Sequence, residues 1–177
     1  NNPKQVLVVG LGSGISAGAA LAYDLSEVDC IEPRAARVRA CRFFAPYNQN
    51  ALQDSRLHLV CCDPSNYLLL SQKPYDVIIC EEPVMPRGFV RLARARLGGA
   101  GVVAQVVNLQ DIAADGFRAI AKEFAYYFPY VDLWWCGGTE LLLVASPQSP
   151  EMSAQTIGER MARQGARSGL LSLGIAD

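Results

Sequence analysis

The stretch Val6-Leu-Val-Val-Gly-Leu-Gly-Ser-Gly-Ile-Ser-Ala-Gly-Ala-Ala-Leu21 decides the fold. Residues 6–9 are typical of a buried strand, and the small and aliphatic residues from Ile15 onward are typical of a helix. Between them lies a G-x-G-x-G turn, whose glycines let the backbone bend tightly and approach a ligand at the start of a helix. The candidate cofactor-binding residues of this turn are Gly10, Leu11, Gly12, Ser13 and Gly14.

Strand-like and helical segments alternate along most of the chain. Strands that alternate with helices imply crossover connections and a parallel sheet. The predicted strands are residues 6–9, 28–31, 57–61, 75–80, 101–107, 131–135 and 140–145. The predicted helices are residues 15–23, 34–44, 65–70, 89–97, 111–128, 154–163 and 169–173, the fifth with Asp111 as its N-cap.

The last two predicted strands are joined too closely for a parallel connection. Only Cys136-Gly137-Gly138-Thr139 separates them, so they form an antiparallel hairpin. The predicted fold class is therefore α/β, a Rossmann-like methyltransferase fold with a mostly parallel seven-stranded sheet, an antiparallel C-terminal hairpin and helices on both faces. We expect residues 1–148 to form this domain and residues 149–177 to form a helical tail packed on it or extending from it.

Composition narrows the class of protein further. The chain has 177 residues, of which 51% are hydrophobic, and a formal net charge of -1, so we expect one domain with no nucleic-acid partner. We also expect no membrane segment, because every apolar run is shorter than the roughly 20 residues that span a bilayer. The sequence starts without Met, directly before a strand, and we interpret it as part of a longer protein.

The six cysteines lack the spacing of metal or redox motifs. We expect them to be reduced and buried, which is typical of cytoplasmic proteins, and we expect no metal site.

Two acids follow predicted strands at the edge where ligands bind in open α/β sheets. Glu32, with Pro33 beside it, ends the second strand 18 residues after Gly14, and its carboxylate is placed to accept both hydroxyls of a ribose. Asp63, followed by Pro64, ends the third strand and is placed to accept from an adenine amino group. A solvated surface Glu and an N-cap Asp are the respective structural alternatives.

Glu81 and Glu82 follow the fourth predicted strand at the same edge. Two adjacent carboxylates beside a ligand can act as a general base or hold an amine, so both are candidate catalytic residues. The alternative is a rigid loop with one solvated and one capping acid. A dinucleotide cofactor is disfavoured, because its fingerprint requires a small residue where this chain has Ile15.

Several stretches of the chain resemble the spermidine synthase-like (aminopropyltransferase-type) branch of the S-adenosylmethionine-dependent methyltransferase superfamily. They are residues 6–21, 31–33, 43–48, 63–68, 75–83, 128–135 and 161–175. The resemblance implies a polyamine-biosynthesis transferase that binds S-adenosylmethionine or its decarboxylated form. Such an enzyme transfers an aminopropyl or methyl group to a small acceptor, for which an amine is one candidate. We further expect a homodimer. We also expect a cytoplasmic location, even if the parent protein is fused to a membrane segment.

Under this resemblance the three glycines approach the nucleoside, Glu32 binds the ribose, Asp63 binds the adenine, and Glu81 is the first acid of the active-site loop. Two positions depart from the family pattern, which has acids where this chain has Ser13 and Val84. The span 86–97 is also short for the loop and helix of the family. A second hypothesis therefore stays open, that of a non-catalytic nucleoside-binding or regulatory domain of a larger protein.

Overall fold

The computed structural model describes residues 3–82, 85–149 and 153–162, together with Arg167 and Leu171. The strands are β1 (Gln5–Val9), β2 (Glu27–Ile31), β3 (Leu57–Val60), β4 (Tyr75–Cys80), β5 (Leu97–Asn108), β6 (Tyr130–Gly137) and β7 (Glu140–Ser146). The α-helices are α1 (Ile15–Leu21), α2 (Ala35–Cys41), α3 (Pro64–Leu70), α4 (Phe89–Arg96), α5 (Ala114–Tyr127) and α6 (Ala154–Met161). Two short 3-10 turns, Arg42–Phe44 and Ala51–Gln53, follow α2.

The strands form one sheet in the order β3-β2-β1-β4-β5-β7-β6. β1 pairs in parallel with β2 and β4, β2 with β3, and β4 with β5. β7 runs antiparallel to both β5 and β6. The predicted fold class, including the antiparallel terminal hairpin, is confirmed.

Each face of the sheet carries its own apolar core, and β1 contributes to both because side chains alternate along a strand. Leu7 and Val9 belong to the core covered by α3, α4 and α5. Val6 and Val8 belong to the core covered by α1 and α2. All four side chains are at most 3% exposed, so β1 is the buried centre of the domain.

Three element boundaries differ from prediction by three residues or more. β5 starts at Leu97, directly after α4, four residues earlier than expected. The predicted second helix ends as an α-helix at Cys41 and continues only as a 3-10 turn. Asp111 as an N-cap is wrong: α5 begins at Ala114 with Ala113 as its cap residue. The Asp111 N–H instead donates to the Asn108 carbonyl oxygen at 3.0 Å, closing a turn ahead of the helix.

The cysteines are less uniformly buried than predicted. Cys30, Cys41 and Cys80 are buried, Cys62 is half-buried, and Cys61 and Cys136 are exposed. Burial, the largest cause, and the nearby Glu32 charge raise the pKa of the Cys30 thiol to about 12, so this thiol stays protonated. The prediction that all six are buried is wrong for Cys61 and Cys136.

The C-terminal tail is only partly described. Within it, α6 confirms the first predicted tail helix, and its apolar residues Ile157 and Met161 are each 42% exposed. The second predicted helix lies outside the described residues, apart from Leu171. The division at residue 148 therefore stays a prediction. Among the described residues, every helix is too short or too polar to cross a membrane.

A buried carboxylate in the middle of β2 joins the sheet to α3. Asp29, on β2, is 2% exposed and accepts hydrogen bonds from the hydroxyls of Tyr75 (2.5 Å) and Tyr67 (2.9 Å). The Lys73 ammonium lies 2.8 Å from the same carboxylate, and His58 Nδ1 lies 3.3 Å from it. Burial alone would raise the Asp29 pKa, but these hydrogen bonds and the Lys73 charge hold it below its usual value.

This network predicts a pH-dependent loss of stability for Asp29→Asn. Because the folded pKa lies below that of the unfolded chain, the stabilisation by the carboxylate is present above about pH 4 and is lost as the pH falls through the folded pKa. We expect the variant to lose about 3 kcal/mol of unfolding free energy at neutral pH, measured by urea unfolding. The difference from wild type should shrink on acidification.

Asp24→Asn is the matched control, because Asp24 is exposed and pairs with Lys4 at the surface. Its urea midpoint should equal that of the wild type. A gap between Asp29→Asn and wild type that stays constant from neutral to acidic pH contradicts the network.

Candidate functional site

The carboxyl ends of β2, β1 and β4 lie side by side and carry most of the predicted site residues. The Gly10 N–H donates to the Ile31 carbonyl oxygen, and the Glu81 N–H donates to the Val9 carbonyl oxygen, both at 2.8 Å. The glycine turn (residues 10–14), Glu32 and the Glu81–Glu82 pair therefore meet at one edge of the sheet. We call the region between them the crevice.

The glycine turn has the backbone that its composition predicts. Gly10, Gly12 and Gly14 have φ values of 91°, 51° and 80°, in the left-handed region that favours glycine. A Cβ at Gly12 would meet no atom within 4 Å, so the turn is open to close approach there. A Cβ at Gly14 would lie 2.7 Å from Cys41 Sγ, so that glycine is also required for packing.

Asn48 supports the turn from the loop after α2. Its side-chain amide donates to the Ser13 carbonyl oxygen at 2.8 Å, and the residue is 2% exposed. The Asn48 carbonyl oxygen packs on α1 so tightly that a Cβ at Gly18 would lie 2.2 Å from it. A cavity of about 360 Å³ adjoins this loop outside the crevice, lined by Cys41, Arg42, Ala45, Asn48, Asn50, Leu52 and Gln53.

Glu32 is fully buried, with 0% exposure, and its carboxylate accepts several hydrogen bonds. The donors are the backbone N–H groups of Leu11 at 3.2 Å and Arg34 at 3.0 Å, and the Arg34 side chain at 3.3 Å. The Arg37 guanidinium lies 3.6 Å away. Burial alone would raise the Glu32 pKa, but these donors and the Arg37 charge keep it below its usual value, so the carboxylate is ionised.

The two adjacent glutamates have different surroundings. Glu81 accepts a hydrogen bond from the Ser16 hydroxyl at the start of α1. Glu82 forms ion pairs with Arg34, at 2.5 Å, and with Arg37. Its carboxylate oxygen would lie 3.2 Å from a Cβ at Gly10, so Glu82 covers that glycine. The two acids therefore have different partners, since among the described residues the guanidinium groups pair with Glu82 and not with Glu81.

The third-strand residues lie apart from this cluster. Asp63 is exposed and caps α3, accepting the Asn66 N–H at 3.0 Å, while Pro64 is the buried first residue of that helix. The capping role that the sequence left open is thus present. Pro33 is exposed beside Glu32, and Val84 lies outside the described residues. The structure brings Glu32, Glu81, Glu82 and the glycine turn together and leaves Asp63 at a neighbouring strand end.

Sequence reasoning missed four residues that line the crevice or support its glycine turn: Ser16, Arg34, Arg37 and Asn48. The two arginines are three residues apart at the start of α2, a spacing that puts both on one helix face. That spacing is a usable signal, but their partner Glu82 lies 45 residues after Arg37. Only the folded sheet shows that they meet.

Comparison with known families decides what kind of domain carries this crevice. A family model described as the spermine/spermidine synthase domain matches residues 1–136. The chain belongs to this family. The resemblance predicted from the sequence is confirmed, and the matched range contains every predicted site residue.

Curated relatives of this domain carry the name polyamine aminopropyltransferase. The relative from Methanocaldococcus jannaschii is 32% identical over 88 residues, which is 48% of this chain and 30% of that protein. The relative from Thermococcus onnurineus is 26% identical over 144 residues, which is 73% of this chain and 51% of that protein. The matched segments thus span 30% and 51% of these two relatives.

Solved structures share the fold. A spermidine synthase in complex with the transition-state analogue AdoDATO matches with a TM-score of 0.79 and 18% identity, over 92% of this chain and 62% of that one. Human methyltransferase-like protein 13 in complex with SAH matches with a TM-score of 0.72 and 17% identity, over 95% and 82%. The spermidine synthase domain thus has a methyltransferase-like Rossmann fold here.

Because Asn48 supports the glycine turn, we expect Asn48→Asp to destabilise the protein. This nearly isosteric change removes the amide donor and sets a buried carboxylate against the Ser13 carbonyl oxygen. We expect a loss of about 2–3 kcal/mol in the free energy of unfolding at neutral pH. Because protonation restores a donor, urea unfolding at about pH 4 should show a smaller loss.

Asn66→Asp adds the same charge at an exposed position and should unfold like the wild type. Equal stability of the two variants at both pH values would show that Asn48 does not support the turn.

Proposed function

We propose that the crevice binds an adenosyl sulfonium, either S-adenosylmethionine or its decarboxylated form, and that Glu81 serves transfer of its alkyl group to a small acceptor. The observation that carries the proposal is the meeting of an open glycine turn, an ionised Glu32 and Glu81 at one sheet edge. Ligands of open α/β sheets bind at such an edge, beside the point where the strand order reverses. Here that point lies between β1 and β4.

The residues present fit such a ligand in two respects. The backbone at Gly12 faces open space, as close contact with a nucleoside requires. Glu32 is anchored by two backbone N–H groups, which would remain if ribose hydroxyls replaced its arginine side chains. In this arrangement Leu11, Ser13, Gly14 and Pro33 line the same wall as Gly10 and Gly12. Asp63 and Pro64 stand at the next strand end, where we assign the adenine contact.

The chemistry needs no metal, because a sulfonium is already an activated leaving group. A protonated acceptor first gives up a proton, because only the neutral amine has a lone pair. Its nitrogen then forms the new C–N bond as the C–S bond breaks, and the sulfur keeps the electron pair. Glu81 is the group that we assign to hold the acceptor amine and accept that proton. Positioning the two reactants in line supplies the rest of the rate enhancement.

Aminopropyl transfer is the finer assignment that we favour over methyl transfer. It is supported by the spermine/spermidine synthase family and by the aminopropyltransferase names of the curated relatives. An anionic Glu81 is suited to a cationic amine, since an ammonium in a desolvated pocket requires a partner. Together with this assignment we expect a cytoplasmic location, a homodimer, and a C-terminal tail that begins at residue 149.

The proposal predicts tight binding that depends on Glu32. We expect the chain to bind S-adenosylmethionine, its decarboxylated form or methylthioadenosine in calorimetric titration. We expect Glu32→Gln to weaken binding by about 10- to 100-fold, because a neutral amide is a poorer acceptor for two hydroxyls than a carboxylate. Transfer to a diamine, followed by mass spectrometry, should be lost in Glu81→Gln with binding of the nucleoside retained.

Glu27→Gln is the control, because Glu27 begins the same strand β2 at the opposite edge of the sheet and pairs with Lys73 there. It should bind like the wild type. The nucleoside site is refuted if no adenosyl ligand binds, or if Glu32→Gln binds as tightly as Glu27→Gln. Binding without transfer to any amine would support the alternative of a non-catalytic domain.

A further inference from the structure

Two arginines on one side of the crevice form ion pairs with a glutamate on the other side. Arg34 and Arg37 follow β2, and Glu82 follows β4, while β1 with its glycine turn lies between those strands. Arg34 Nη2 lies 2.5 Å from Glu82 Oε1, and Arg37 Nη1 pairs with the same oxygen. The ion pairs therefore cross the carboxyl end of β1.

The same arginines cover the carboxylate that would receive a ribose. Arg34 Nε lies 3.3 Å from Glu32 Oε1 and Arg37 Nη1 lies 3.6 Å from Glu32 Oε2. With them in place Glu32 has no exposed surface. A ligand hydroxyl therefore reaches this carboxylate only when the arginine side chains move away.

Glu82 is well placed to anchor the arginines. Its carbonyl oxygen accepts a hydrogen bond from the Gln105 side chain at 2.6 Å, and Gln105 is 2% exposed on β5. Its side chain is 19% exposed, whereas those of Arg34 and Arg37 are 49% and 39% exposed. The anchor is thus fixed to the sheet, and the arginines lie where they can swing into solvent.

We propose that Arg34, Arg37 and Glu82 form a clasp that closes the crevice in the ligand-free protein and that a nucleoside must open in order to bind. This inference rests on the proposed function in taking Glu32 as the ribose ligand. It gives Glu82 a positioning role, as the anchor of the clasp, and leaves Glu81 as the acid available to an acceptor. Partly exposed ion pairs are weak and are screened by salt, so the clasp can open at modest cost.

The clasp predicts that removing its arginines tightens nucleoside binding. We expect Arg34→Ala/Arg37→Ala to bind methylthioadenosine about tenfold more tightly than the wild type in calorimetric titration, because ribose no longer competes with guanidinium groups for Glu32. Methylthioadenosine is uncharged, so any salt dependence of its affinity comes from the protein. Wild-type affinity should rise between about 0.05 and 0.5 M salt, while that of the double variant should stay constant.

Arg39→Ala/Arg42→Ala is the matched control, because it removes the same charge from the same segment while leaving the clasp intact. Both arginines are exposed, and neither takes part in the ion pairs of Glu32 or Glu82. This variant should keep the wild-type affinity and its rise with salt. The single variant Arg37→Ala tests the clasp if the double variant fails to fold, with a smaller gain expected because Arg34 still pairs with Glu82.

Equal or weaker binding by the arginine variants, with an unchanged salt dependence, overturns the clasp while leaving the nucleoside site in place. Failure of the wild type and of every variant to bind methylthioadenosine overturns the nucleoside site, and the clasp with it.

Discussion

The parallel pairing of β1 with both β2 and β4 is the constraint on which the rest of the structure depends. Val9 is level with Ile31 on one side and with Cys80 on the other, so the residues that follow all emerge at one edge. A slip of one residue in either pairing would turn the next side chain to the other face of the sheet. The buried, alternating side chains of β1 prevent such a slip, since Val6 and Val8 fill one core and Leu7 and Val9 fill the other.

That register also determines how Glu32 can remain ionised inside the protein. An isolated buried carboxylate is costly, and a hydrogen-bonded one is not. The first donor is the N–H of Leu11, which the left-handed conformation of Gly10 turns toward β2. The glycine turn therefore holds the acid in place as well as leaving space for a ligand. Asn48 supports the glycine turn and also packs on α1, so it links the packing of that helix to the geometry of the crevice.

Because apolar residues recur with different periods in strands and helices, and because a four-residue connection between strands permits only a hairpin, the local sequence pattern was sufficient to predict the architecture. It placed the glycine turn, Glu32, Glu81 and Glu82 at strand ends, and the parallel sheet then brought those ends together. It was wrong about Asp111, where a turn closed on Asn108 comes before the helix. It also missed the arginine contacts, because they join residues 45 and 48 positions apart and depend on how α2 lies over the sheet.

The difference between Glu81 and Glu82 follows from their place at the end of β4. Neighbouring residues there direct their side chains differently, so one acid meets the start of α1 and the other meets α2. Glu82 forms ion pairs with two guanidinium groups, which also pair with Glu32. Among the described residues, Glu81 accepts a hydrogen bond from the neutral Ser16 hydroxyl and takes no part in the arginine ion pairs. The adjacent acids are therefore not interchangeable, and their positions at the end of β4 decide which of them pairs with the arginines.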